Sequence, residues 1–140
     1  MPKHFNKVKF AAVGDISLGD HPVNVGLGVR SKVIKKGSLF PFLKIANELR
    51  KSDIVFANLE TVLSNKGLQY RVKNYQMRGT PDSVQGLKYA GINIVNLANN
   101  HSMQHGIDAL LDTMKLLQEQ GIMYCGINLK SHLSAEPTLI

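Results

Sequence analysis

Three short apolar stretches of this chain end in polar residues that could bind a metal ion. They are FAAVGD, which ends at Asp15, DIVFANLE, which ends at Glu60, and INIVNLANNH, which ends at His101. If these stretches are neighbouring parallel strands, their carboxyl ends lie along one edge of a sheet, where open α/β folds place ligand sites. The sequence therefore predicts that the polar ends of the three stretches converge on one site rich in oxygen donors.

The residue types at these ends suit metal chemistry. Asn58 and Glu60 are alternate residues of an extended segment, so their side chains point the same way. A carboxylate and an amide oxygen suit a hard or borderline divalent cation. Asn99, Asn100 and His101 form the most specific signal, because asparagine is a weak metal ligand and a tandem pair beside a histidine calls for an explanation. An amide of this triplet would hold a metal while the imidazole of His101 protonates a leaving group. Asn58 and Asn99 are additional candidate ligands.

Each cluster also has a structural interpretation. An aspartate after a glycine can cap a turn, and polar residues at a strand end can bond neighbouring backbone groups. A turn rich in asparagine can also begin a helix. If these interpretations hold, Asn100→Ala and His101→Ala would alter stability and nothing else.

Alternating strands and helices are predicted to position these residues. Apolar runs predict strands over residues 8–16, 53–60, 92–97 and 122–127. Apolar residues at helical spacing predict helices over residues 41–52, 80–91 and 105–120, the last two ended by Gly91 and Gly121. Residues 17–40 are predicted to be a long loop, and residues 70–77 an extra strand. This order predicts an α/β fold with a parallel sheet and helices on its faces.

Composition limits the classes of function. With 140 residues and 44% hydrophobic content, the chain matches one globular domain. Its net charge of +7 favours acidic partners. We expect no nucleic-acid partner, because tryptophan is absent and no basic stretch interleaves with aromatic residues. We find neither a signal peptide nor a run approaching the roughly 20 apolar residues that span a bilayer.

The positive charge is concentrated in two predicted loops. These cations would surround the mouth of an anion-binding cleft, or they would form solvated surfaces that keep the protein soluble. The first loop holds Arg30, Lys32, Lys35 and Lys36, and the second holds Lys66, Arg71, Lys73 and Arg78.

The order of the motifs resembles one known family. The stretches VGDISLG, FANLETVLS and MRGTP, followed by LKYAGINIVNLANNHSMQHGIDALLDTMKLLQEQGIMYCGIN, resemble the bacterial capsule synthesis protein CapA family, which is associated with poly-gamma-glutamate capsules. That family is similar to the calcineurin-like metallophosphoesterases. The resemblance runs from about Val8 to the last residue. It implies a metallophosphoesterase-like α/β sandwich, with a mostly parallel sheet flanked by helices and a two-metal site between two central sheets.

The resemblance also implies roles for individual residues. Asp15 would bind the first metal, Glu60 would bridge the metals or bind the second, and Asn100 would bind the second. His101 would be the acid that assists departure of the leaving group, and Arg78 would contact substrate anions. The implied cofactors are two divalent ions, with manganese, zinc or iron as candidates. The implied substrate is an anionic polymer or a phosphoester, and capsule machinery at the membrane is an implied partner.

Two departures from the family pattern bear on this interpretation. Family members carry an acidic residue shortly after NNH, where this chain has Gln104. The family's later histidine motifs are absent, so we expect residues 1–140 to be the amino-terminal part of a single domain that holds half of the site.

Two hypotheses follow: a metal-dependent hydrolase, or a non-catalytic polyanion-binding or assembly component of capsule synthesis. Members of the family are often membrane-anchored outside the cytoplasm, and the location of this chain stays open.

Overall fold

The computed structural model describes residues 7–67, 77–129 and 138–139, and within them it confirms the predicted α/β class. The strands are β1 (Phe10–Ile16), β2 (Ile54–Leu59), β3 (Val62–Leu63), β4 (Arg78–Gly79), β5 (Ile94–Asn96) and β6 (Met123–Cys125). The α-helices are α1 (Val29–Lys36), α2 (Ala46–Leu49), α3 (Ser83–Ala90) and α4 (Ile107–Glu119). Short 3-10 turns lie at Pro22–Asn24 and Phe40–Phe42.

Four of the strands form a parallel sheet in the order β1-β2-β5-β6. Each of these strands therefore pairs with the one that precedes it in this series, and β1 lies at one edge. β3 and β4 form a separate parallel pair. Parallel neighbours need long crossover connections, and in the four-stranded sheet helices lie within them: α1 and α2 between β1 and β2, α3 between β2 and β5, and α4 between β5 and β6.

One hydrophobic core lies between the sheet and the helices. Along β2, Val55, Ala57 and Leu59 are buried, whereas the alternate residues Ile54, Phe56 and Asn58 are only partly buried. The buried set belongs to the same core as residues of α2, α3 and α4. The sheet thus has one face covered by helices and a second, more open face, on which Phe10 is 60% exposed.

The structure corrects the prediction of a long loop over residues 17–40. This segment contains α1, whose two buried residues are Arg30 and Val33. Because a charged residue occupies the buried side, α1 has no apolar stripe and its sequence lacks the helical period.

The other boundaries differ by smaller amounts. The helix predicted over residues 41–52 is replaced by the turn Phe40–Phe42 and the single-turn helix α2. Helix α3 ends at Gly91, as predicted, and that glycine adopts a left-handed conformation with φ of 80°. Most of the extra strand predicted over residues 70–77 lies outside the described residues. Among the described helices, none is long and apolar enough to cross a membrane.

Candidate metal site at the carboxyl edge of the sheet

A row of polar side chains crosses the open face of the sheet near its carboxyl edge. Asn58 of β2 is in register with Asp15 of β1 and with Asn96 of β5, and Asn96 is in register with Cys125 of β6. Residues paired across parallel strands point to the same face. Asp15, Asn58, Asn96 and Cys125 therefore form one row, which we call the polar row.

A bulge in β1 places Asp15 in this row. Ala12 is paired with Phe56, whereas Asp15 is paired with Asn58, so β1 has one more residue than β2 over this interval. Without the extra residue, Asp15 would face Leu59 and point into the core. Bulges often re-aim a side chain beside a functional site. Here the bulge brings the carboxylate onto the open face.

Side-chain hydrogen bonds link three members of the row, Asp15, Asn58 and Asn96, and connect them to Asn99. The Asn58 side-chain amide donates to Asp15 Oδ1 at 2.7 Å. Asn58 Oδ1 accepts from the side-chain amides of Asn96 at 2.8 Å and Asn99 at 3.2 Å. Asn99 also donates to the Leu59 carbonyl oxygen at 2.9 Å. The structure thus brings Asp15, Asn58 and Asn99, from three distant motifs, into one bonded cluster.

His101 lies in the turn that follows β5, and both of its ring nitrogens are engaged. Its Nδ1 lies 2.8 Å from Gln104 Oε1, and its Nε2 lies 3.1 Å from Asn100 Nδ2. An amide oxygen only accepts and an amide nitrogen only donates. These contacts fit a neutral imidazole that is protonated on Nδ1 and has its lone pair on Nε2. Gln104 thus orients the ring, although it adds no charge.

Glu60 immediately follows β2 at the same edge. Its backbone N–H donates to the Ile16 carbonyl oxygen at 3.0 Å, and the residue is partly exposed. Glu60 is therefore anchored through its backbone beside the end of β1.

Arg78 is buried away from solvent, at 3% exposure. Its guanidinium donates to the Lys66 carbonyl oxygen, and its own carbonyl oxygen accepts from Arg30 Nη1 at 3.3 Å. Arg30 and Arg78 therefore tie α1, β4 and the segment after β3 together. The contact between Arg78 and a substrate anion stays a prediction.

The remaining cations of the two basic segments have different surroundings. Lys66 forms an ion pair with Asp112 at 2.5 Å, and the hydrogen bond and charge of Asp112 raise the pKa of Lys66. Lys32, Lys35 and Lys36 are exposed on α1. Arg71 and Lys73 lie outside the described residues.

Two residues important for this region were missed by sequence reasoning. Asn96 interrupts the apolar run of β5, just as Asn58 interrupts the apolar run of β2. This polar residue within an apolar strand was the sequence signal that could have identified it. Asp20 lies in the segment predicted to be a long loop, yet it is 1% exposed and accepts hydrogen bonds from Gly26 and Ser31. Cys125 is half-buried, and burial raises the pKa of its thiol, which disfavours the thiolate form that binds metals.

The donor types of this edge fit a divalent cation, but their number is short of a full site. Asp15 and Glu60 offer carboxylates and His101 an imidazole, which are common ligands of such ions, and Asn100 adds an amide oxygen, a weaker ligand. Within residues 7–67, 77–129 and 138–139, however, no three His, Cys, Asp or Glu residues are grouped so that they could hold a metal ion. The described residues therefore fit part of a coordination shell.

Comparison with known proteins places the chain among capsule synthesis proteins. Residues 9–140 match the family described as bacterial capsule synthesis protein PGA_cap. The chain is 31% identical over 123 residues to the capsule biosynthesis protein CapA of Bacillus anthracis. This alignment covers 86% of this chain and 28% of that protein. It is 29% identical over 115 residues to the PGA biosynthesis protein CapA of Bacillus subtilis (strain 168), covering 81% of this chain and 28% of that one.

A third relative has no described function. It is the uncharacterized protein y4sH of Sinorhizobium fredii, 30% identical over 118 residues, covering 75% of this chain and 24% of that protein. The chain thus spans only about a quarter of the length of each of these three relatives, between 24% and 28%. Since the family match extends over nearly the whole sequence, the chain belongs to the bacterial capsule synthesis protein family.

Proposed function

We propose that this chain forms part of a metal-dependent hydrolase of the metallophosphoesterase type, which acts in the synthesis of an anionic capsule polymer such as poly-gamma-glutamate. The observation that carries the proposal is the hydrogen-bonded chain from Asn99 through Asn58 to Asp15. It joins the ends of three strands at the edge where α/β folds bind ligands. The names of the two CapA relatives support the connection to capsule synthesis.

Asp15, Glu60 and Asn100 would hold the divalent ions, with manganese, zinc or iron as candidates. A bound pair of such ions would supply an activated water and stabilise the charge of a phosphate or carboxylate-like oxyanion. Ligands from outside the described residues would complete the shell, because the described residues supply too few.

His101 would act as the general acid. Gln104 Oε1 accepts from Nδ1 and keeps the ring in one orientation, and Nε2 carries the lone pair, so Nε2 is the nitrogen that would take up a proton and then release it. From there a proton would pass to the leaving-group oxygen, a step that contributes about 10²–10⁴-fold to rate in enzymes. Asn100 Nδ2 now contacts Nε2, so a substrate oxygen would replace this amide at the imidazole.

The test uses the natural full-length protein and Mn²⁺. We expect Mn²⁺ to bind in isothermal titration calorimetry, and hydrolysis of a phosphodiester or of polyglutamate to stop when a chelator removes the metal. Asp15→Ala should weaken metal binding, whereas His101→Gln should retain the metal and lower the rate about 100-fold. Asp82→Asn is the control, since Asp82 is exposed and its side chain caps no helix. No metal uptake by the wild-type protein would refute the proposal.

A second candidate function is a non-catalytic component that binds the anionic polymer. It is favoured by α1, where Lys32, Lys35 and Lys36 are exposed, and by the absence of Asp and Glu from the sequence between Asp20 and Glu48.

Salt and chelators separate the two functions. Polymer binding by exposed lysines should weaken as added salt screens the charges, and a chelator should leave it unchanged. Lys35→Glu should reduce such binding more than Lys51→Glu, because Lys51 is already paired with Glu48 at 2.8 Å. Polymer binding that resists salt but is lost on chelation would exclude this second function.

A further inference from the structure

We infer that Asn96 and Asn99 are positioning residues that hold the Asn58 amide in the orientation that donates to Asp15. Asn58 is then not a metal ligand but a support for one. In one respect the inference rests on the proposed function, namely that a cation binds Asp15. The three asparagines, Asn58, Asn96 and Asn99, are called the asparagine network below.

The Asn58 side chain has little remaining capacity to bind a cation. Its Oδ1 accepts from two amides, at 2.8 Å and 3.2 Å, and a carbonyl oxygen has two lone pairs. Its Nδ2 donates to Asp15 at 2.7 Å. Reversing the amide would set Nδ2 against the donors of Asn96 and Asn99 and set Oδ1 against a carboxylate. Two donors on one side and one acceptor on the other therefore fix its orientation.

The two donors are themselves fixed by backbone groups. Asn96 Oδ1 accepts from the Ala98 N–H at 3.1 Å, and Asn96 Nδ2 lies 3.4 Å from the Ala98 carbonyl oxygen. Asn99 Oδ1 accepts from the His101 N–H at 3.1 Å, and its Nδ2 donates to Leu59. The turn after β5 thus sets both amides, and they set Asn58.

As a consequence, the two carboxylate oxygens of Asp15 have different surroundings. Oδ1 is occupied by Asn58, and no donor from the described ranges bonds to Oδ2. A cation at this site would therefore meet Asp15 through one oxygen. This geometry separates the asparagines by role: Asn58 and Asn99 support the carboxylate, and Asn96 joins them although the motifs gave it no role.

Asn93 provides a matched control for Asn96. It lies just before the same strand, β5, and its side chain also bonds across to β2. Asn93 Oδ1 accepts from the Val55 N–H at 2.8 Å, and its Nδ2 donates to the Asp53 carbonyl oxygen at 2.9 Å. Removing either side chain deletes similar bonds. Asn93, however, lies at the amino end of β5, whereas Asn96 lies at its carboxyl end, on the side of the sheet edge that holds Asp15.

The experiment compares Asn96→Ala, Asn58→Ala, their double variant and Asn93→Ala in the natural full-length protein. Two quantities are measured: the side-chain amide resonance of Asn58 by NMR without metal, and the Mn²⁺ dissociation constant by calorimetry. We expect Asn96→Ala to shift the Asn58 resonance and to weaken Mn²⁺ binding about tenfold or more, as loss of groups that orient ligands does. Asn93→Ala should change neither quantity.

The double variant tests whether Asn96 acts through Asn58. We expect it to bind Mn²⁺ no more weakly than Asn58→Ala alone. Losses that add, or an Asn96→Ala variant with unchanged resonance and affinity, would overturn the inference. If the wild-type protein takes up no Mn²⁺ but the Asn58 resonance responds to Asn96→Ala, the proposed function fails while the positioning of Asn58 is upheld.

Discussion

Replacing Asp20 with asparagine tests how the segment after β1 is held. The side chain is 1% exposed, and its Oδ2 accepts from the Gly26 N–H at 2.9 Å and the Ser31 hydroxyl at 2.6 Å. Oδ1 accepts from the Ser31 N–H at 3.1 Å. Asp20→Asn keeps the shape, removes the charge and sets an NH₂ group against at least one of these donors.

The magnitude follows from these three bonds. Hydrogen bonds to charged groups contribute about 1.5–3 kcal/mol each, and a buried donor without an acceptor costs about 1–3 kcal/mol. The variant loses at least one bond and weakens the others. We therefore expect Asp20→Asn to lower the free energy of unfolding by about 2–4 kcal/mol at pH 7.

The effect should depend on pH. Burial by itself raises the pKa of Asp20, but the hydrogen bonds from Ser31 and Gly26 and the charge of Arg30 outweigh it and hold the pKa below its usual range. A carboxyl with a depressed folded pKa stabilises the protein above its unfolded pKa of about 3.9 and loses that contribution as pH falls through the folded value. The stability gap between wild type and variant should be widest near pH 7 and should narrow below about pH 4.

Urea denaturation across this pH range measures the gap, and hydrogen exchange at the Gly26 and Ser31 amides reports it locally. Asp82→Asn is the matched control, because Asp82 is exposed and, although it is the N-cap residue of α3, its side chain makes no capping hydrogen bond. Its effect should stay within about 0.5 kcal/mol. If Asp20→Asn costs no more than this control, or if the gap is the same at pH 3 and pH 7, the reasoning is refuted.

Two further substitutions test other contacts. Thr113→Val should destabilise the protein by about 1–3 kcal/mol in urea denaturation. The buried Thr113 hydroxyl accepts from the Leu63 N–H at 2.8 Å, and the valine variant leaves that donor unpaired. A loss of stability below about 0.5 kcal/mol would contradict this prediction. Gly19→Ala should cost about 1–3 kcal/mol, because its new Cβ would overlap backbone atoms of Met77 and Arg78. Gly14→Ala is the control, since its Cβ would meet no atom within 4 Å, and equal losses in the two variants would rule out the steric explanation.

The convergence of the strand ends could be predicted because it depends on pattern alone. Apolar runs that alternate with helices imply a parallel sheet, and a parallel sheet collects the residues after its strands at one edge. Asp15, Asn58 and Asn99 meet for this reason. The metals and the catalytic roles stay predictions, since they depend on ligands and substrates.

Other features depend on contacts that sequence spacing does not reveal. Helix α1 was missed because Arg30 takes the buried position that an apolar residue usually fills. Burial of Asp20 requires donors 6 and 11 residues further along the chain, and a glycine-rich stretch gives no sign that they fold back onto it. The bulge in β1 did leave a trace, because the core-facing residues Ala11, Val13 and Ile16 break the period of two.

The bonds of the asparagine network make the site dependent on the folding of distant segments. Asn58 bonds to Asp15 and to Asn96, which are 43 and 38 positions away in sequence. Such contacts form only after long loops have closed, so the site can appear only once β1, β2 and β5 have paired. Asp15 lies on β1, which among the described residues is an edge strand paired with β2 alone. A ligand bound to Asp15 would therefore stabilise that strand against local opening, and a substitution that loosens β1 would weaken the ligand's affinity without touching the site.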